Sequence, residues 1–310
     1  MTHPCLIKAR TFIYRNARPI DLARWQYHFE NGSAEAVVSA LSTYQNPDGG
    51  FGHGLEADAI NPNSSPIQTW TAMVILEEIG IEDPNHPMIR SILNYLQSKK
   101  DFDGSFWFNT VPSNNDYPHA PWWTHKEKKG DYHDYNPTAY FTGFILRYAD
   151  QNTALYHIGK QIAQQAILAL NNQYDETEMH LVACFAHLAL DLRKAGITDL
   201  SGLDSMEYHL FERIKTLIDR DSENWNSGYV CLPNRFIEDR KSPYYRPNKA
   251  AAEHLSLVLQ QTQDDEGTWP VTWDWADYPS QWPISKNWWR SVIVIENMLY
   301  LKRFGVLSEK

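Results

Sequence analysis

The chain has 310 residues, of which 43% are hydrophobic, and its formal net charge is -10. This acidic balance argues against nucleic acid as the main partner, because phosphate contacts need clustered Lys and Arg. No stretch approaches the ~18 apolar residues of a transmembrane helix, and residues 1–16 lack the apolar core of a signal peptide.

Helical patterns dominate the chain. Two starts are clear, Ser65-Pro66 and Asn136-Pro137, because each pairs a capping residue with proline at the first helical position. The sequence predicts helices at 19–30, 34–45, 66–79, 86–97, 137–148, 153–170, 176–194, 204–218, 249–263 and 287–304, with a further candidate at 6–14. No run alternates like a strand, so the predicted fold class is all-α.

The connections between these helices alternate between short and long. The long ones lie at 46–65, 98–136, 219–247 and 264–286. Long loops in a compact domain are usually functional or contain short elements of their own. No linker-like segment divides the chain, so we expect one domain spanning residues 1–310.

A short pattern recurs where helices lead into these loops. It occurs at 41–51, 95–107 and 259–269, with a degenerate copy at 219–225. Each of the first three copies has Gln near a helix end, then an acidic residue, Gly and an aromatic residue. Gly permits the left-handed turn that ends a helix, Gln can bond exposed backbone groups, and the aromatic ring covers the turn.

This pattern resembles the QW repeat of the terpenoid cyclase, squalene cyclase and protein prenyltransferase superfamily. The resemblance implies an (α/α) toroid with outer and inner helix rings. About 50 residues per hairpin gives roughly six hairpins in this length. The predicted helices form five pairs, because no inner helix is visible between 221 and 247, so we expect five to six hairpins.

The resemblance carries the fold and no catalytic residue. Class II terpenoid cyclases protonate their substrate with an Asp-x-Asp-Asp motif, which this chain lacks; Glu56-Ala57-Asp58 is only a loose echo of it. The Asp-rich motifs of class I cyclases and the zinc ligands of prenyltransferases are also missing. We therefore expect neither metal nor other cofactor.

If the helix order is that of a toroid, the long loops meet at one mouth. Glu56 and Asp58, two residues apart, are the candidate general acid and base, or an acid with its orienting partner. The alternative is that they are solvated or bond the N-termini of helices. Asp116, Asp274 and Asp277 are secondary acid candidates.

Aromatic and polar side chains of the loops and inner-helix starts form the expected substrate-binding wall. Such a wall can stack on sugar rings or stabilise a carbocation. The candidates are Trp70, His119, Trp122, Trp123, Asn136, His180, Trp273 and Trp275. The alternatives are a lid packed on the rim and, for His180, a satisfied rim histidine. The spacings among His119, His125 and His133 match no compact metal-binding pattern, and Cys184 and His187 are expected in the core.

Three functions remain open. The first is a terpenoid cyclase-like enzyme that uses acid catalysis on an isoprenoid-like small molecule in an aromatic pocket. The second is a carbohydrate-active (α/α)-barrel glycosidase or lyase, with Glu56 or Asp58 paired with an acid of another loop. The third is a non-catalytic binding protein, which predicts acids scattered in solvent. The few, distant cysteines, Cys5, Cys184 and Cys231, predict a cytoplasmic location, and the oligomeric state stays open.

Overall fold

The computed structural model describes residues 3–126, 134–172 and 178–307, and every regular element within them is helical. The helices are α1 (Pro4–Asn16), α2 (Pro19–Phe29), α3 (Ala34–Ser42), α4 (Pro66–Glu78), α5 (Pro87–Ser98), α6 (Tyr135–Tyr148), α7 (Ala154–Asn171), α8 (Met179–Lys194), α9 (Leu203–Leu217), α10 (Lys249–Thr262) and α11 (Trp282–Arg303). The all-α prediction is confirmed. In the described part of the chain, no helix is both long and apolar enough to cross a membrane.

Local chemistry explains where several helices begin. Ser65 caps α4 by accepting a hydrogen bond from Gln68 N, and Pro66 occupies the first turn as predicted. At α6 the cap is Asp134, which accepts from Asn136 N at 2.6 Å. Asn136 itself has non-helical dihedral angles before Pro137, so the predicted cap lies inside the assigned helix.

The structure corrects the prediction at the C-terminal end of the chain. Helix α11 begins at Trp282, before the predicted start at residue 287, because Pro283 is well placed in a first helical turn. Between residues 219 and 247, all of them described, the only regular elements are the 3-10 turn Pro233–Arg235 and the start of the 3-10 turn Arg246–Asn248, so no inner helix exists there. The predicted start of α8 at residue 176 lies outside the described residues.

The chain folds into two compact units. Unit 1 contains Met1–Ala40 and Ile214–Lys310, and unit 2 contains Leu41–Arg213. The expectation of a single domain stays a prediction.

In unit 1 the first helix of the chain packs against its last hairpin. Helix α1 contacts both α2 and α11. The Gln263 side chain donates from Nε2 to Cys5 O at 3.0 Å, and Lys8 pairs with Asp265 at 3.1 Å. These bonds connect the two ends of the chain within one unit.

In unit 2 helix α6 is the central element. Almost every side chain along it is buried, and it packs against α4, α7 and α8. Gly143 allows α8 to come close, because a Cβ atom at this position would lie 2.9 Å from the Asp191 side chain. The C-terminal halves of α6 and α8 therefore face each other at short range.

The three turns of the recurring pattern share a glycine with positive φ and a buried aromatic residue, and two of them share a Gln-to-Gly hydrogen bond. Gly49, Gly104 and Gly267 adopt φ values of 89°, 107° and 94°. Gln45 Nε2 donates to Gly49 O at 3.1 Å, and Gln263 Nε2 donates to Gly267 O at 3.0 Å. The aromatic residues that follow are all buried: Phe51, Trp107 and Trp269.

Candidate functional site

The acid-bearing turn of unit 2 lies between Gly52 and Asn61. Both acids in it are buried, with exposed fractions of 6% for Glu56 and 3% for Asp58. Ala59 N donates to Glu56 O at 3.1 Å, which closes a tight turn around the two residues. Neither carboxylate therefore lies in bulk solvent.

Backbone hydrogen bonds join this turn to the second long loop. Ile60 N donates to Pro118 O at 3.0 Å, and Ala120 N donates to Asp58 O at 2.8 Å. Ala59 and His119 form an antiparallel bridge between these bonds. The structure thus brings together the first two loops, which the sequence placed at one mouth.

Buried amide side chains hold the same region. Gln68 is fully buried on α4; its Oε1 accepts from Leu55 N at 3.0 Å and its Nε2 donates to Asn61 O at 2.8 Å. Asn61 Nδ2 donates in turn to Ser113 Oγ at 2.9 Å and to Asn114 Oδ1 at 3.0 Å. A continuous set of amides thus runs from helix α4 through the turn to the second loop.

His119, a predicted substrate-binding residue, is buried and bonds through both ring nitrogens. Its Nδ1 lies 2.7 Å from Tyr117 O and must donate, because a carbonyl oxygen only accepts. Its Nε2 lies 3.1 Å from Thr124 Oγ1. This imidazole therefore shapes the loop between residues 117 and 124.

Trp122 and Trp123 lie on the 3-10 turn Pro121–Trp123 of the second loop. Trp122 is 46% exposed, whereas Trp123 is half-buried. Asn114 Nδ2 donates to Trp123 O at 2.9 Å and fixes this turn. His133 of the same loop lies outside the described residues.

Trp70 lies on α4, one turn beyond its capped start. It is half-buried, and its ring meets Tyr140 edge-on at a centroid distance of 6.1 Å. Within the described chain, the indole nitrogens of Trp70 and Trp123 are buried without a hydrogen-bond partner. Two predicted wall residues thus carry N–H groups that lack an acceptor.

Asn136 and His180 lie at the starts of two neighbouring helices. Cys184 Sγ contacts Asn136 Oδ1 at 3.5 Å, and Cys184 is buried as expected. Glu178 caps α8 by accepting from His180 N and Leu181 N at 2.9 and 2.8 Å. Glu178 therefore bonds the N-terminus of α8.

Trp273 and Trp275 belong to unit 1, whereas the acid-bearing turn belongs to unit 2. Trp273 meets Tyr229 and Trp289 edge-on, at centroid distances of 5.6 and 5.1 Å. Trp275 is buried against Trp282, with the ring centroids 5.7 Å apart. Both predicted wall residues therefore belong to aromatic clusters of their own unit.

Sequence reasoning missed a charged cluster near the C-terminal ends of α4, α6 and α8. Glu77 accepts from Lys194 Nζ and from Tyr140 Oη, each at 3.1 Å, and lies 3.5 Å from His187 Nε2. His187 was expected in an apolar core, but it pairs with this carboxylate and contacts the Tyr140 ring at 4.3 Å. Burial acts to raise the pKa of Glu77, yet the charges of His187 and Lys194 outweigh it and lower that pKa.

Arg147 links the remaining members of the cluster. Its Nη1 lies 3.2 Å from Asp191 Oδ1 and 3.6 Å from Glu77 Oε1, and its Nη2 bonds Glu82. Burial raises the pKa of Asp191, and burial also raises the pKa of Tyr148 to about 12. A pocket of about 400 Å³ lies beside these groups, lined by Glu82, Arg147, Tyr148 and Lys194.

Among the described residues, no three His, Cys, Asp or Glu side chains meet in a way that could hold a metal ion. No protein-family model, curated protein or solved structure matches this chain.

Proposed function

We propose that this protein is a terpenoid cyclase-like enzyme of the (α/α) toroid class, acting by acid catalysis on an isoprenoid-like small molecule. Glu56 or Asp58 donates the proton. The observation that carries this proposal is the burial of both acids on a turn that is bonded to a second loop and to α4. A general acid is effective when surrounding groups hold it in place and exclude water.

The order and packing of the helices support the toroid. Long connections follow α3, α5 and α10 and lead into α4, α6 and α11, as an outer-to-inner arrangement requires. In a closed ring the first helix must meet the last hairpin, and in unit 1 α1 packs against α11. Five hairpins are proposed, with α9 lacking an inner partner.

The chemistry proposed for this site is a proton transfer to a carbon–carbon double bond. The carboxylic acid becomes a carboxylate, and the substrate becomes a carbocation that cyclises and then loses a proton. Trp70 and Trp123 supply aromatic faces, whose quadrupoles stabilise a cation. The carboxylate takes up the proton that the carbocation loses, so the acid is regenerated and the net reaction is an isomerisation.

A second candidate is a carbohydrate-active enzyme in which Glu56 or Asp58 is paired with an acid of another loop. It is favoured by the polar side chains around the turn, beginning with the fully buried amide of Gln68. The buried amides of Asn61 and Asn114 and the imidazole of His119 give the region the same polar character. The non-catalytic alternative expects acids scattered in solvent: Asp116, Asp274 and Asp277 are exposed, whereas the burial of Glu56 and Asp58 counts against it.

The test is product formation by the purified protein with two substrate panels. One panel contains acyclic polyprene alcohols, squalene and oxidosqualene, followed by mass spectrometry; the other contains oligosaccharides and aryl glycosides, followed by reducing-end and chromophore release. We expect Glu56→Gln or Asp58→Asn to lower kcat at least about a hundredfold, the range of general acid catalysis.

The matched control is Asp199→Asn. Asp199 is an exposed aspartate of the same unit whose ion pair with Lys160 lies on the surface, so this variant should keep wild-type activity. Product from neither panel, or full activity in both acid variants, would show that the acid role is wrong.

A further inference from the structure

We infer that Gln68 is the positioning residue of the acid-bearing turn: its amide fixes the backbone on both sides of Glu56 and Asp58. The catalytic consequence of this inference rests on the proposed function, whereas its structural consequence does not.

The geometry begins with the position of Gln68 in the first turn of α4. Its backbone N–H donates to the Ser65 side chain, so the residue is held by the cap itself. Its fully buried side chain then leaves the helix and reaches the turn. The capped start of α4, which the local sequence specifies, therefore directs the Gln68 amide towards the turn.

The amide makes two hydrogen bonds of opposite direction. Oε1 accepts from Leu55 N at 3.0 Å, and Nε2 donates to Asn61 O at 2.8 Å. Leu55 and Asn61 flank the segment 56–60, which contains both acids. One planar group thus sets the separation of the two ends of this segment, and only a side chain with both a donor and an acceptor can do so.

We call the two hydrogen bonds from Gln68 to Leu55 and Asn61 the clamp. Further contacts extend the clamp to the second loop. Asn61 donates through its own side chain to Asn114 Oδ1 at 3.0 Å, and Ala120 N bonds Asp58 O. These contacts connect the acid-bearing turn to a neighbouring loop, while Gln68 connects it to a helix. Because a helix is more rigid than a loop, the hydrogen bonds from Gln68 on α4 fix the position of Glu56 and Asp58.

Two substitutions distinguish the effect of the Gln68 hydrogen bonds from the effect of its side-chain volume. Gln68→Met keeps the volume and removes both hydrogen bonds. Gln68→Glu is pH-dependent: the protonated acid can accept from Leu55 N and donate to Asn61 O, whereas the carboxylate repels Asn61 O. The control is Thr69→Val, since Thr69 is equally buried on the same turn and bonds Phe51 N instead.

The experiment combines amide hydrogen exchange of residues 52–62 with carbodiimide labelling of Glu56 and Asp58, each in the full chain. We expect Gln68→Met to speed exchange at Leu55 and labelling of both acids by about tenfold or more, since two buried groups lose their partners. Gln68→Glu should behave likewise at neutral pH and regain protection in acid, after correction for intrinsic exchange. Thr69→Val should leave both rates at the wild-type level even where it lowers Tm.

The inference is overturned if Gln68→Met matches Thr69→Val in both rates, or if Gln68→Glu shows no recovery in acid. The Gln68→Glu protein in acid keeps the test decisive where Gln68→Met does not fold. In an active enzyme, Gln68→Glu should lower kcat more than it changes KM, with a recovery in acid that the Thr69→Val enzyme lacks. Failure of the Glu56→Gln and Asp58→Asn activity test would remove the proposed function and leave the exchange and labelling result standing.

Discussion

The glycines of the three recurring turns allow a prediction with an internal control. All three have positive φ values, but their surroundings differ. A Cβ atom at Gly49 would lie 2.2 Å from Ser91 O of α5, and one at Gly267 would lie 2.3 Å from Lys8 O of α1. A Cβ atom at Gly104 would meet nothing within 4 Å. Alanine at these positions therefore separates the backbone effect from the steric effect.

The magnitudes follow from these distances. The left-handed backbone costs an alanine about 1–2 kcal/mol, and lower entropy of the unfolded chain offsets about 0.4–1 kcal/mol of this. We therefore expect Gly104→Ala to destabilise the protein by about 1 kcal/mol. At Gly49 and Gly267 a neighbouring helix must also move, which adds roughly 1–3 kcal/mol of overpacking and gives about 2–4 kcal/mol in total.

Equilibrium urea unfolding followed by circular dichroism measures these differences. We expect a small loss in the free energy of unfolding for Gly104→Ala and larger losses for Gly49→Ala and Gly267→Ala. A Gly104→Ala loss equal to the other two would mean that backbone conformation alone sets the effect. The inferred close packing of these turns on α5 and α1 would then be refuted.

Two further predictions concern charged groups that sequence reasoning did not use or did not resolve. Glu77→Gln should destabilise the protein by about 1–3 kcal/mol at neutral pH, because it removes the carboxylate that pairs with Arg147, His187 and Lys194. The Glu77 side chain is 27% exposed, so solvent screens part of this interaction. The folded-state pKa of Glu77 lies below its usual 4.5, so this stabilisation is present above pH 4.5 and is lost as the pH falls through the folded value. Unfolding at a series of pH values should therefore show the stability difference between Glu77→Gln and the wild type shrinking in acid. A difference independent of pH would contradict the role of the Glu77 charge. Glu178→Ala should cost about 0.5–2 kcal/mol in thermal unfolding through loss of the α8 cap and should leave any product formation intact; a selective loss of activity would mean that Glu178 acts in the site.

Helix starts were predictable where their chemistry is local. Ser65-Pro66 gave the start of α4, because a cap and a first-turn proline act within a few residues. The start of α11 at Trp282 was missed, because the first residues of the helix continue the tryptophan-rich composition of the preceding loop. The absence of an α-helix between 219 and 247 agrees with the sequence, which contains no helical pattern there.

Contacts between distant residues were predictable only through the fold hypothesis. Ala59 pairs with His119 across two loops, and no local pattern specifies that register. The ion cluster is similar: Glu77, Arg147 and Asp191 lie on three helices, and only their packing brings the side chains together. Their shared position near helix C-terminal ends was visible in the sequence, but their contact was not.

The contrast between two kinds of acid supports the site proposed at the turn. Glu178 and Asp134 accept hydrogen bonds from the N-termini of α8 and α6, and such capping needs no burial. Glu56 and Asp58 are almost fully buried, which removes a carboxylate from water at a free-energy cost that capping does not require. A chain that buries two acids on a turn clamped by Gln68 holds them in a fixed place, and a fixed place is what proton donation to a bound substrate needs.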